Sequence, residues 1–166
     1  MNRERRRLIR GGTVSMRVLW LGALMALVSC RPSPSPETDQ AEVTAALADY
    51  GDLVLAMAHD RIADTYTPDG EMSHAGQSAF HGPQAIRAHL SSFAEFKVLG
   101  SRMTAESTTV TADTASQRGT YWQSVRLPSG ETVEVEGRFE ASWLRTAPGQ
   151  WKLRRMATRP LDKEEP

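Results

Sequence analysis

The chain predicts an α+β domain, with helices first and a long antiparallel run of strands after them. Three observations carry this. Between residues 43 and 57 the apolar residues recur at three- and four-residue steps, the period of an amphipathic helix. From Lys97 onward the chain is rich in Thr, Val, Tyr and Trp, with turns at Pro128-Ser129-Gly130 and Ala147-Pro148-Gly149. Within that region Val133, Val135, Gly137, Phe139, Ala141 and Trp143 alternate with Glu134, Glu136, Arg138, Glu140 and Ser142, as in a sheet with one buried face.

Taken in order, the first globular element begins near Glu37, and Val43, Ala46, Leu47, Tyr50, Leu53, Val54 and Met57 form its apolar stripe. Asp60 is placed to cap a short second helix carrying Ile62, Ala63 and Tyr66, with Asp64 solvated. Thr67-Pro68-Asp69-Gly70 has the composition of a turn. Short extended pieces are expected over 71–74 and 78–81, with His81 shaping the turn that follows. Gly82-Pro83 opens a third helix, because proline at the first helical position sacrifices no hydrogen bond. Ile86, Leu90 and Phe93 give that helix its buried stripe and leave His89 on the surface. Strands are expected over 97–105, 107–112, 114–127, 131–144 and 151–159. Gly119 and Gly137 inside two of them mark bulges or close approach.

Ahead of the domain, five arginines between residues 3 and 10 precede an apolar run from Val18 to Val28, the pattern of a secretory signal peptide. The run is too short to cross ~30 Å of hydrocarbon as a stable helix. It ends in Leu27-Val28-Ser29-Cys30, which resembles the lipobox of bacterial lipoproteins, whose cysteine is acylated and becomes the new N-terminus. Residues 1–29 thus read as a lipoprotein signal peptide, 30–38 as lipidated Cys30 and a Pro/Ser linker, 39–160 as the domain and 161–166 as a charged tail. The expected location is outside the cytoplasm, anchored to a bacterial membrane through acyl chains on Cys30. As the only cysteine, Cys30 leaves the domain no internal disulfide. Residues 1–29 hold six Arg and one Glu, so the remainder carries 14 basic and 19 acidic residues, a balance of −5. That balance argues against a nucleic-acid partner, which needs a clustered cationic face.

No metal-ligand pair at helical spacing, phosphate-binding glycine loop or nucleophile elbow is present, so neither a metal nor a cofactor is expected. The stretch from Leu53 to Tyr66 with Thr67-Pro68-Asp69-Gly70-Glu71, the segment Phe80-His81-Gly82-Pro83-Gln84-Ala85-Ile86, and the closing Ser142-Trp143-Leu144-Arg145 with Gly149-Gln150-Trp151-Lys152-Leu153 resemble, in order and spacing, a SnoaL-like domain of the nuclear transport factor 2-like superfamily. The resemblance spans about residues 39–159. It implies a cone: a curved antiparallel sheet wrapped on a long N-terminal helix with two short helices, enclosing an apolar pocket. Fold alone does not fix activity, since this superfamily hosts isomerases, cyclases, dehydratases and binding domains. Aligned with ketosteroid isomerases through Tyr66, Tyr50 falls at the helix tyrosine, His74 at the base aspartate and Glu140, within one residue, at the second acid.

These residues define the candidate site. His74 is the candidate base, with an ordinary pKa of ~6.5 suited to proton transfer near neutrality, and Tyr50 and Glu140 are its candidate partners. Tyr66, Trp122, Trp143 and Arg118 are the candidate pocket wall, and Trp151 joins them as core or wall. Arg118 and Arg138 lie on neighbouring strands, where either could pair with Glu140 or face an acidic ligand, cross-strand pairing being the commoner outcome. Three functions follow: a tethered module binding a small apolar or amphipathic molecule or a protein partner; a proton-transfer enzyme of isomerase or dehydratase type built on His74; or a homodimeric interaction domain. Binding ranks first, because no constellation in the chain demands chemistry.

Overall fold

The structure, a computed structural model, describes residues 36–161; Cys30, the leader and residues 162–166 lie outside the described residues. Helix α1 spans Pro36–Leu55, α2 His59–Asp64 and α3 Gly82–Ser91. The strands are β1 (Tyr66–His74), β2 (Phe80–His81), β3 (Lys97–Thr111), β4 (Thr114–Arg126), β5 (Thr132–Ala147) and β6 (Gln150–Pro160). They form one curved six-stranded sheet in the order β2-β1-β6-β5-β4-β3. Every pairing is antiparallel except β1 with β6, which is parallel. This is the α+β architecture expected from the sequence. Among the described residues no helix is long and apolar enough to cross a membrane.

Helix α1 starts three residues before the expected domain boundary at residue 39, with Pro36 in its first turn, where its missing N–H is no loss. Glu37 and Asp39 sit in the same turn, where the helix dipole favours negative charge. Val43, Leu47, Tyr50 and Leu53 form the buried stripe. They share one hydrophobic core with Phe139, Ala141 and Trp143 of β5 and Trp151, Leu153 and Met156 of β6. Arg145 ties the start of the helix to the closing hairpin. Its guanidinium lies 2.6 Å from Asp39 and 3.3 Å from Glu42 and rests 4.5 Å above the Trp151 ring. At its other end α1 closes on Met57, whose φ of 52° is left-handed. The N–H groups of Met57 and Ala58 bond back to the carbonyls of Val54 and Leu53, each at 3.0 Å, which is the double bond pattern of a Schellman stop.

Four local expectations are corrected. Thr67-Pro68-Asp69-Gly70 does not reverse the chain but bulges within β1: Tyr66 pairs with Leu153 and Glu71 with Arg155, so five steps on one strand match two on the other. The pieces 97–105 and 107–112 are one strand, with a register shift between Ala105 and Ser107 where a break was expected. Asp60 is not a cap, since Ala58 holds that position; Asp60 and Asp64 instead bind Arg87 of α3 at 2.7 and 2.9 Å. Phe93 lies beyond the end of α3 and is 38% exposed. Gly119 and Gly137 are sites of close approach: a Cβ on Gly119 would strike the Thr104 carbonyl, and one on Gly137 the carbonyl of Arg159 and the Tyr121 ring.

Candidate functional site

The curved sheet and the three helices border a cavity of about 390 Å³ that opens to solvent beside the exposed Phe93 and Val135. Strand alternation decides which side chains reach it. On β5 it selects Val133 and Val135 and on β4 Tyr121, Gln123 and Val125; on β3 a register shift between Val98 and Gly100 brings Val98 and Met103, five residues apart, to the same side. Tyr50, Val54 and Met57 come from the end of α1, His59 and Ile62 from α2, and His89 and Leu90 from α3. Phe93 and Phe96 enter from the turn after α3. The wall is apolar, and among the described residues lining it there is no Asp, Glu, Lys or Arg. The hydrogen-bonding side chains are those of Tyr50, His59, His74, His89, Tyr121, Gln123 and Thr158.

His74, at the last position of β1, is half-buried in this wall. Thr158 lies opposite it on β6 and places its hydroxyl 2.7 Å from Nδ1, which fixes the ring orientation. Burial, assisted by the neighbouring His89, holds the His74 pKa below its ordinary value, so the imidazole is unprotonated at neutral pH. Tyr50 lines the cavity from α1; its hydroxyl is 3.3 Å from that of Tyr66, with the two rings edge to face. Burial raises both tyrosines above their ordinary range and keeps them as neutral hydroxyls. Tyr66 is 1% exposed and supports Tyr50 from behind without lining the cavity itself.

The other candidate residues stand elsewhere. Glu140 follows Phe139 on β5 and therefore points through the opposite face of the sheet. There it faces Arg118 at 3.7 Å, with both side chains more than half exposed. The one-residue register uncertainty in the isomerase alignment is enough to send a side chain to the wrong face. Arg118 is for the same reason an outer-face residue, and Arg138 pairs with Glu106 at 3.4 Å instead of with Glu140. Trp122, between Tyr121 and Gln123, also faces outward, under Arg102 and against Gly100. Trp143 is 2% exposed on the correct face but sits in the packed part of the domain, where its indole N–H donates to Gln117 Oε1 at 2.9 Å. His74 and Tyr50 thus share one cavity, while Glu140 and Arg118 line a second, polar groove whose edge reaches His74 and Thr158 and not Tyr50.

His89 was expected on the surface and instead joins the wall. Its ring stacks on Phe80 with centroids 3.8 Å apart, meets Phe93 edge-on at 5.1 Å and lies 5.4 Å from His74. Burial lowers its pKa, and its Nε2 is buried without a hydrogen-bond partner. The stacking partner belongs to β2, a contact that helical periodicity cannot register. The usable signal was the four-residue spacing of His89 and Phe93, which puts both on one side.

The SnoaL-like domain family matches residues 37–157. The chain belongs to this family. Among solved structures, a ketosteroid isomerase-like protein from Erwinia carotovora atroseptica superposes with a TM-score of 0.67 at 19% identity, over 75% of this chain and 97% of its own. A nuclear transport factor 2-like protein with a cystatin-like fold from Novosphingobium aromaticivorans superposes at 0.61 and 22% identity, over 76% and 84%. A protein from Catenulispora acidiphila, solved in complex with S-DNPA, superposes at 0.59 and 18% identity, over 72% and 91%. At such identities these neighbours show the shared fold. A comparison with curated proteins gives no match.

Proposed function

We propose that the protein is an exported, lipid-anchored binder of an uncharged and largely apolar small molecule. The observation that carries this is the cavity wall: its volume of about 390 Å³ suits a small organic ligand, and its described lining holds no formally charged side chain. Burying a charged ligand among those groups would leave its charge unpaired, at a cost of several kcal/mol. His74 and Tyr50 supply polar anchors that orient the ligand. The leader and Cys30 support the tether, and the Pro/Ser linker supports a domain held clear of the membrane. A protein of the same fold from Catenulispora acidiphila was solved in complex with S-DNPA, which supports a ligand-binding reading here.

The test is to purify the protein from detergent-extracted membranes and analyse its organic extract by mass spectrometry. The expected result is a neutral molecule retained by the wild type and lost from Val135→Trp, which fills the cavity. An empty extract, or one that does not change in the filled variant, contradicts the reading.

A second reading, proton transfer with His74 as base, rests on the 2.7 Å contact with Thr158 that orients the ring and on the burial that keeps it unprotonated. The described cavity wall contains no carboxylate, so the phenols of Tyr50 and Tyr121 are the hydroxyl donors available to a developing oxyanion. Binding stands first because it needs only groups already present in the wall. Turnover by wild type that is abolished in His74→Ala, with stability retained, would reverse that order.

A further inference from the structure

The chain has seven methionines, three of them within residues 1–29. The other four are Met57, Met72, Met103 and Met156, and all four line the cavity. They arrive from four different elements or turns: the end of α1, β1, β3 and β6. Away from the cavity the packed core uses a different vocabulary. Val43, Leu47, Ile86, Phe139, Trp143 and Leu153 are branched or aromatic, with few rotamers each. Met72 and Met156 are 3% and 2% exposed and belong also to that core, while Met57 and Met103 are half-buried, so the thioethers lie where the core meets the cavity.

Met57 adds an independent sign. Its φ of 52° is the left-handed conformation that the Schellman stop demands, a position where glycine is ordinarily found because a Cβ is strained there. A methionine held in that conformation brings its side chain to the cavity at the expense of stability. Backbone strain kept at a ligand-facing position points to a role for the side chain.

We propose that the cavity is an adaptable receptor that accepts neutral apolar molecules of different shapes, with the four methionines as the adjustable part of its wall. This rests on the binding reading of the same cavity. Methionine has three rotatable bonds and a polarisable sulfur, so it re-packs around unlike surfaces at little cost, and surfaces that bind many partners use it for that reason. Leucine has nearly the same volume but is branched and stiffer, so replacing methionine by leucine keeps the wall apolar and removes its adaptability.

The experiment uses the neutral fluorophore N-phenyl-1-naphthylamine as reporter, displaced in turn by decan-1-ol, naphthalene and 1-adamantanol, which are linear, planar and globular. Wild type is expected to bind the reporter and to take the three competitors with affinities within about tenfold of one another. The variant Met57→Leu/Met72→Leu/Met103→Leu/Met156→Leu is expected to bind at least one competitor while the spread widens beyond about 100-fold. Met57→Gly, which relieves the strain, is expected to raise the melting temperature by about 2–4 °C and also to widen the spread. If the fourfold variant does not fold, Met57→Gly and Met103→Leu carry the comparison. Wild type that binds the reporter but accepts only one competitor shape overturns the adaptable wall and leaves the cavity as a binding site. Spreads unchanged in the variants overturn it equally. Wild type that does not bind the reporter overturns both readings.

Discussion

Trp143 is the side chain whose removal the packed half of the domain should tolerate least. It is 2% exposed, and its indole N–H donates to Gln117 Oε1, itself 1% exposed, whose amide donates to Thr108 at 3.3 Å. A buried tryptophan removes roughly 150–250 Å² from water, which at about 25 cal/mol per Å² is about 4–6 kcal/mol. Residual burial in the unfolded chain lowers that by about a quarter. Leaving Gln117 Oε1 without its donor adds about 1–3 kcal/mol. Trp143→Ala is therefore expected to cost at least about 4 kcal/mol, a large part of a typical domain's stability. Trp143→Phe keeps most of the ring but strands the glutamine and should cost about 2 kcal/mol. Adding Gln117→Met to Trp143→Phe removes the stranded acceptor and should recover about 1 kcal/mol of that loss. Urea unfolding followed by far-UV circular dichroism reads all three without depending on tryptophan emission. A cost below about 1 kcal/mol for Trp143→Ala would refute the assignment of the core to this face of β5.

Other expectations follow from the same geometry. His74 and His89 have folded pKa values below the ordinary 6.5, so the unfolded chain takes up protons first as pH falls. Their contribution to stability is complete above about pH 6.5 and is lost as pH drops through the folded values, so the urea midpoint should fall between pH 7.5 and 5.5. The fall should flatten in His74→Gln/His89→Gln, and a wild-type midpoint independent of pH over that range would count against the buried neutral pair. Gly119→Ala should destabilise by about 2 kcal/mol or more, because its Cβ meets the Thr104 carbonyl and comes within 2.9 Å of Phe139; Gly51→Ala, with open space around it inside α1, should stabilise by about 0.5–1 kcal/mol. Urea midpoints of the two variants moving in the same direction would contradict that account. Acylation of Cys30 predicts partition into the detergent phase and labelling by palmitate, both lost in Cys30→Ser; a wild type wholly in the aqueous phase would end the lipoprotein proposal.

Periodicity made most of the fold readable, because a helix stripe such as Val43, Leu47, Tyr50 and Leu53 and a strand alternation such as Phe139, Ala141 and Trp143 are imposed by the same burial that the structure displays. The bulge in β1 was not readable in this way. Pro68 and Gly70 carry turn chemistry, and only pairing with Leu153 and Arg155 shows that the chain continues as a strand. The site was half readable for a related reason. The isomerase resemblance put His74 and Tyr50 at the cavity that they line, but whether Glu140 meets it depends on a parity that one residue of slippage inverts. Trp122 shows the same limit, since Tyr121 beside it faces inward and it does not. His89 escaped notice because its ring stacks on Phe80 of β2, outside the helix whose periodicity was read. The methionines escaped because their meaning lies in sharing one wall, which only the assembled sheet and helices reveal.

The most direct test of a ligand-binding cavity uses those methionines as reporters. In a chain lacking residues 1–29, Met57, Met72, Met103 and Met156 are the only methionines apart from any initiator, so ¹³C-methyl labelling places four probes in the cavity wall and none elsewhere in the domain. Single leucine replacements assign the four signals. On titration with N-phenyl-1-naphthylamine, all four methyl resonances should shift together and saturate at one equivalent. Fluorescence enhancement without movement of these four signals would place the molecule outside the cavity and contradict the account.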